Sequence, residues 1–123
     1  MTSITVLYDA VKESWSRETS SLWSKENPAL GQCGVTALVF QDHMGGEIFK
    51  TSVAGALHFY NSINGVRWDF TFSQFLVPIG YEDRLATRGE AFSDTTAEQY
   101  TCLSTDVKNR LAAKESGSEI DER

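Results

Sequence analysis

Gly31-Gln32-Cys33-Gly34-Val35-Thr36-Ala37-Leu38-Val39-Phe40 is the stretch that decides the fold, because an apolar run with no polar stripe can only be a helix or strand enclosed on every side. Pro28 stops regular structure just upstream, and Gly45-Gly46 after Gln41-Asp42 supplies a stop. The segment therefore reads as a buried helix of about a dozen residues that opens on Cys33. The first N–H groups of a helix lack internal partners and carry partial positive charge. A thiol at that point is expected to lose its proton more readily than a free cysteine.

Working outward, Glu47 to Val53 and Ala56 to Asn61 read as strands, and Asn64-Gly65 followed by Val66 to Phe70 reads as a hairpin turn with a third strand. Two registers are open. A two-residue turn at Asn64-Gly65 sets His58 opposite Thr71 and Asp69 opposite Tyr60. A four-residue loop, Ser62-Ile63-Asn64-Gly65, sets Asn61 opposite Val66 and His58 opposite Asp69. The second is adopted as an assumption, since facing Cβ atoms about 4.5–5.5 Å apart let a carboxylate hold an imidazole.

Cys33, His58 and Asp69 then fill three chemical roles in chain order. A thiol attacks well only as thiolate, and imidazole is the side chain best matched to take its proton near neutrality. A carboxylate fixes the tautomer of that imidazole and stabilises the imidazolium. Gln32, with the Cys33 backbone N–H, is a candidate oxyanion donor, and Asn61 a supporting amide. Trp23, Tyr60 and Trp68 are candidates for the wall of a substrate pocket. The same residues also admit a plain structural reading, with Cys33 inert, His58 hydrogen-bonded in a strand and the aromatics in the core.

The string Asn27-Pro28-Ala29-Leu30-Gly31-Gln32-Cys33, with Thr36-Ala37-Leu38-Val39, Gln41-Asp42, Gly45-Gly46-Glu47-Ile48, His58-Phe59-Tyr60-Asn61, Gly65, Asp69-Phe70-Thr71 and Gln74-Phe75, resembles the YunG family of small bacterial proteins. The resemblance runs from about Trp15 to Phe75 and supplies no substrate. The Cys, His, Asp order is also similar to that of papain-like and transglutaminase-like folds, which implies a cysteine-opened helix with the histidine and aspartate on the following strands. The glutamine of papain-like proteases lies several residues before its cysteine, whereas Gln32 is adjacent.

Ile4, Leu7, Tyr8, Val11 and Trp15 recur at helical spacing behind Thr2 or Ser3 as cap, and Tyr100, Leu103, Val107 and Leu111 mark a last helix opened by Asp94 or Thr95 and running to about Ala113. Thr71 and Gln74 have capping-box spacing for a short helical turn. Val77 to Ser93, with Pro78, Gly80 and Gly89 among charges, reads as a loop or irregular lid. The expected architecture is one α+β domain over residues 1–113: an N-terminal helix, a central cysteine-bearing helix on a small antiparallel sheet, and a C-terminal helix, with a papain-like or transglutaminase-like core. Residues 114–123 read as a polar, disordered tail.

At 123 residues, 41% hydrophobic, the chain suits a single modest core. Its net charge of −6 argues against a nucleic-acid binder, which needs a basic surface for phosphate. Two cysteines, without a long apolar span or signal peptide, point to a reduced cytoplasmic protein with no membrane contact. No Cys-x-x-Cys or His-x-x-x-His pair is present, so neither a metal nor another cofactor is expected. The leading expectation is a cysteine-dependent hydrolase, amidase, deamidase or acyl transferase acting on a small-molecule or peptide substrate. The alternative is a non-catalytic ligand- or peptide-binding module with a degenerate site. Exposed aromatics are compatible with a homodimer.

Overall fold

The computed structural model describes the backbone of residues 2–121 and the side chains of residues 2–115. It contains α1 (Ile4–Ser14), α2 (Cys33–Met44), strands β1 (Glu47–Val53), β2 (Ala56–Ile63) and β3 (Val66–Trp68), a 3-10 turn (Phe72–Gln74), β4 (Arg84–Ala86), α3 (Arg88–Phe92) and α4 (Ala97–Asp121). Among the described residues this is an α+β architecture with four α-helices and one antiparallel sheet in the order β3-β2-β1-β4.

Every residue of α2 from Cys33 to Phe40 is buried, which is what an apolar sequence on all sides demands. One side, through Val35, Val39 and Phe40, packs with Leu7, Val11 and Trp15 of the N-terminal segment and Leu103 and Val107 of α4. The other, through Cys33, Ala37 and Leu38, meets Ile48, Phe59, Ala86 and Ala91. The helix is thus the middle layer of three. Each large aliphatic or aromatic side chain enclosed there contributes about 1.5–3 kcal/mol of transfer free energy. Two polar ties fix its orientation: Trp15 Nε1 donates to Thr36 Oγ1 at 3.0 Å, and Asn61 Nδ2 donates to the Ala37 carbonyl at 3.0 Å.

The expected three-strand meander is present with a fourth strand added at its edge. Arg84 to Ala86 pairs with Lys50 to Ile48 and leads into α3, whose capping box joins Thr87 and Glu90. Both fall in the segment expected to be a loop. Three residues are too few for a period to register, although Thr87-x-x-Glu90 has the spacing of a helix start. The polypeptide continues as α4 to Asp121, beyond the expected end near Ala113. The expected disordered tail over 114–123 lies partly outside the described residues.

The hairpin register is a correction. Ile63 faces Val66, Ser62 faces Arg67 and Asn61 faces Trp68, so the turn has two residues, not four. Asn64 (φ 51°) and Gly65 (φ 79°) both take the left-handed conformation that a two-residue turn between right-twisted strands requires. Projected along this register, His58 would face Thr71. The third strand ends at Trp68, however, and the chain peels away before that position.

A candidate cysteine site

His58 and Asp69 meet without sharing a register position. After Trp68 the chain turns at Asp69, whose Oδ1 accepts the backbone N–H of Thr71 at 3.1 Å and its hydroxyl at 3.2 Å. That turn swings the carboxylate inward. Oδ2 then accepts from His58 Nε2 at 2.7 Å and from the Tyr81 hydroxyl at 2.7 Å. Both members of the pair are buried. Because a carboxylate only accepts, the bond assigns the proton to Nε2 and leaves Nδ1 as the basic nitrogen. The ring is held from two further sides, stacked on Tyr60 and meeting the edge of Phe75 with centroids 4.9 Å apart.

Cys33 sits at the first turn of α2, and among the described residues its sulfur has no hydrogen bond to His58. In a two-residue hairpin the flanking residues form a hydrogen-bonded pair, and the pattern repeats at every second residue. Ile63, Asn61 and Phe59 therefore direct their backbone groups toward the third strand. That strand has left by Phe59, and the Phe59 N–H instead favours negative charge on the nearby sulfur of Cys33. The thiol thus lies near the peptide that joins His58 to Phe59.

Its electrostatics run opposite to the expectation from helix position. Cys33 is only 7% exposed, and its Sγ donates to Asp94 Oδ2 at 3.4 Å. Burial first, then the charge of Asp94, pushes the thiol up to about 12, with Asp69 adding in the same direction. The Phe59 N–H opposes them but is outweighed. Asp94 Oδ2 also accepts the Gly34 N–H at 3.0 Å, so a carboxylate already fills the anion-favouring helix start. Burial raises Asp94 itself above the usual carboxylate range, against the lowering influence of these two donors and of His58.

The remaining candidates have other attachments. Gln32, fully buried, donates from Nε2 to the Pro28 carbonyl at 3.3 Å, while its Oε1 has no hydrogen-bond partner among the described residues. Asn61 faces α2 and ties it to the sheet, on the opposite side of β2 from His58. Tyr60 is 1% exposed, and its hydroxyl donates to Asp83 Oδ1 at 2.9 Å, so it supports the site from beneath and does not line a groove. Trp23 packs against the helical core. Trp68 lines a cleft of about 280 Å³, which also includes Tyr8, Arg67, Asp69 and Phe72.

Tyr81 and Asp94 are neighbours of the candidate residues that sequence reading missed. Tyr81 lies in a segment that crosses the outer face of the sheet, where Thr51 Oγ1 donates to Gly80 O at 3.0 Å and accepts from Glu82 N at 3.0 Å. Nothing in its local sequence marks that crossing. Asp94 was legible only as a helix-start residue for α4, whereas its carboxylate serves the start of α2. No group of three or more His, Cys, Asp or Glu side chains arranged to hold a metal occurs among the described residues.

A cysteine opening a buried central helix, with a small antiparallel sheet that carries a histidine bonded to a carboxylate just past the third strand, defines a small α+β protein. The chain belongs to the YunG family: the model described as YunG protein matches residues 3–112, a span that includes every residue from Cys33 to Asp94. It is similar to "Uncharacterized protein YunG" of Bacillus subtilis (strain 168), at 61% identity over 93 residues, which cover 76% of this chain and 81% of that protein. No solved structure matches the chain. Among the described residues, no helix is long and apolar enough to cross a membrane.

Proposed function

We propose that the chain is a cysteine-dependent hydrolase or acyl transferase built on a papain-like or transglutaminase-like core. The observation that carries this reading is the buried 2.7 Å bond from His58 Nε2 to Asp69 Oδ2, on a strand whose next peptide N–H favours negative charge on the Cys33 sulfur. A histidine with one nitrogen fixed by a carboxylate and the other unassigned is equipped to accept a proton.

In this mechanism His58 Nδ1 takes the thiol proton as Cys33 Sγ bonds to the acyl carbon. The carbonyl electron pair moves to oxygen, where the backbone N–H groups at the start of α2 are the nearest donors once Asp94 yields them. Collapse expels an amine or alcohol that leaves with the proton from His58. Water, or an acceptor amine in a transferase, then attacks the thioester with His58 as base and restores the thiol. Tyr81 and Thr71 keep the Asp69 carboxylate aimed at the ring throughout. The cleft beside Trp68 and Asp69 suits an apolar substrate group.

The test is a screen of amide, ester, thioester and amidine substrates with intact protein and with Cys33→Ser, His58→Ala and Asp69→Asn. Turnover abolished by Cys33→Ser and reduced about 100-fold or more by His58→Ala is expected for a nucleophile and its base. Turnover unaffected by Cys33→Ser would eliminate the mechanism. A second reading, a non-catalytic binding module, is favoured by one observation: Cys33 rests as a thiol donated to Asp94. It predicts ligand binding that survives Cys33→Ser with no turnover in any variant.

A further inference from the structure

We propose that Asp94 is a latch on the nucleophile: its carboxylate holds Cys33 as a neutral thiol at the start of α2, and the thiol becomes reactive when that carboxylate moves or loses its charge. This positioning role rests on the cysteine-dependent reading above and concerns how that site is controlled.

Three features of the geometry carry it. One oxygen, Asp94 Oδ2, accepts both the Cys33 S–H at 3.4 Å and the Gly34 N–H at 3.0 Å, so the groups that would stabilise a thiolate or an oxyanion are engaged by a carboxylate of the protein itself. The approach depends on glycine at position 34. A Cβ there would stand 2.6 Å from Asp94 Oδ2, 2.7 Å from Asp94 Cβ and 2.8 Å from the Ala91 carbonyl. Finally, Asp94 sits in the short link between α3 and α4, where it borders a groove of about 360 Å³. Ser20, Ser93, Thr95, Thr96 and Gln99 give that groove a hydrogen-bonding lining, so a polar ligand entering it meets the latch directly.

The other charged groups around the thiol do not release it. Asp69 adds negative charge, and His58, the one basic group biasing Asp94, is bonded to Asp69. On α3, Glu90 pairs with Lys50 and Arg88 with Asp42, and neither is among the groups that shift the thiol. The thiol is pushed up to about 12 by burial and by Asp94. Removing the Asp94 charge takes away the second cause, and one unit of pKa is a factor of about ten in thiolate at neutral pH.

The experiment follows alkylation of Cys33 by iodoacetamide against pH in a Cys102→Ser background, with and without Asp94→Asn. Asparagine keeps an oxygen for the Gly34 N–H, so the cap survives while the charge does not. The expected result is slow alkylation at neutral pH when Asp94 is present, and about tenfold or faster alkylation, with its pH midpoint moved down, in Asp94→Asn. An unchanged pH profile overturns the latch. Should Asp94→Asn fail to fold, Raman spectroscopy of the protein that retains Asp94 decides. A hydrogen-bonded S–H band at neutral pH, moving toward the free-thiol position as acid protonates Asp94, supports the latch. A missing band, or one that acid leaves in place, refutes it. Adding His58→Ala to Asp94→Asn separates the two levels. Released reactivity that depends on His58 supports both, whereas released reactivity indifferent to His58 keeps the latch and removes the catalytic reading.

Discussion

Asp69 does more than its place in the sequence suggested. Its two oxygens accept four donors: the Thr71 amide and hydroxyl, the Tyr81 hydroxyl and His58 Nε2. A buried donor left without an acceptor costs about 1–3 kcal/mol, so Asp69→Ala should lower stability by at least about 3 kcal/mol in urea denaturation. Tyr81→Phe removes a single donor and keeps the ring, and should cost only about 1 kcal/mol in the same measurement. An equal loss for the two variants would mean that Asp69 does not organise the cluster. His58 and Asp69 were legible as partners because imidazole and carboxylate near one hairpin have few other uses in a small core. Tyr81 was not, since an aromatic residue after Pro78 and Gly80 has no sequence pattern that names its acceptor.

Elements meet here through small contacts at their ends. The start of α2 and the link after α3 approach so closely that Gly34→Ala should destabilise the protein by about 1–3 kcal/mol, despite alanine being the better helix former. The same substitution pushes on Asp94, so faster Cys33 alkylation should accompany the lost stability. Both are measurable on one sample. The β2–β3 hairpin shows how an element can be read correctly with its register wrong. Asn64-Gly65 announced the turn, but the choice between two and four loop residues depended on whether the third strand continued to Asp69. It stops at Trp68 because Asp69 forms hydrogen bonds with Thr71 that compete with the ladder. Gly65, at φ 79°, should resist replacement, and Gly65→Val is expected to cost roughly 1–2 kcal/mol by thermal or urea unfolding.

The molecule as a whole is predicted to lose stability in alkali. Burial is the first cause raising Cys33 and Tyr60, each to about 12, and it raises Tyr81 as well. Such groups hold their protons more tightly when folded than when unfolded. The unfolded chain therefore releases protons first, and stability falls as pH climbs from about 9, the ordinary thiol and phenol range, toward the folded values. Melting temperatures measured across that range should fall steadily, and Tyr81→Phe should make the fall shallower. A flat profile would mean that these groups are not shielded in solution. What the sequence determined by itself is the set of elements with strong local signals: a helix apolar on every side must be central, an Asn-Gly pair must turn, and spaced aliphatics must face a core. Those signals act within a few residues. Tertiary structure decided the rest. The edge strand β4 and the short α3 exist because β1 and α2 offer them surfaces, and the state of Cys33 depends on a carboxylate 61 positions further along the chain. A helix start favours an anion, but only the folded chain determines whether sulfur or Asp94 supplies it.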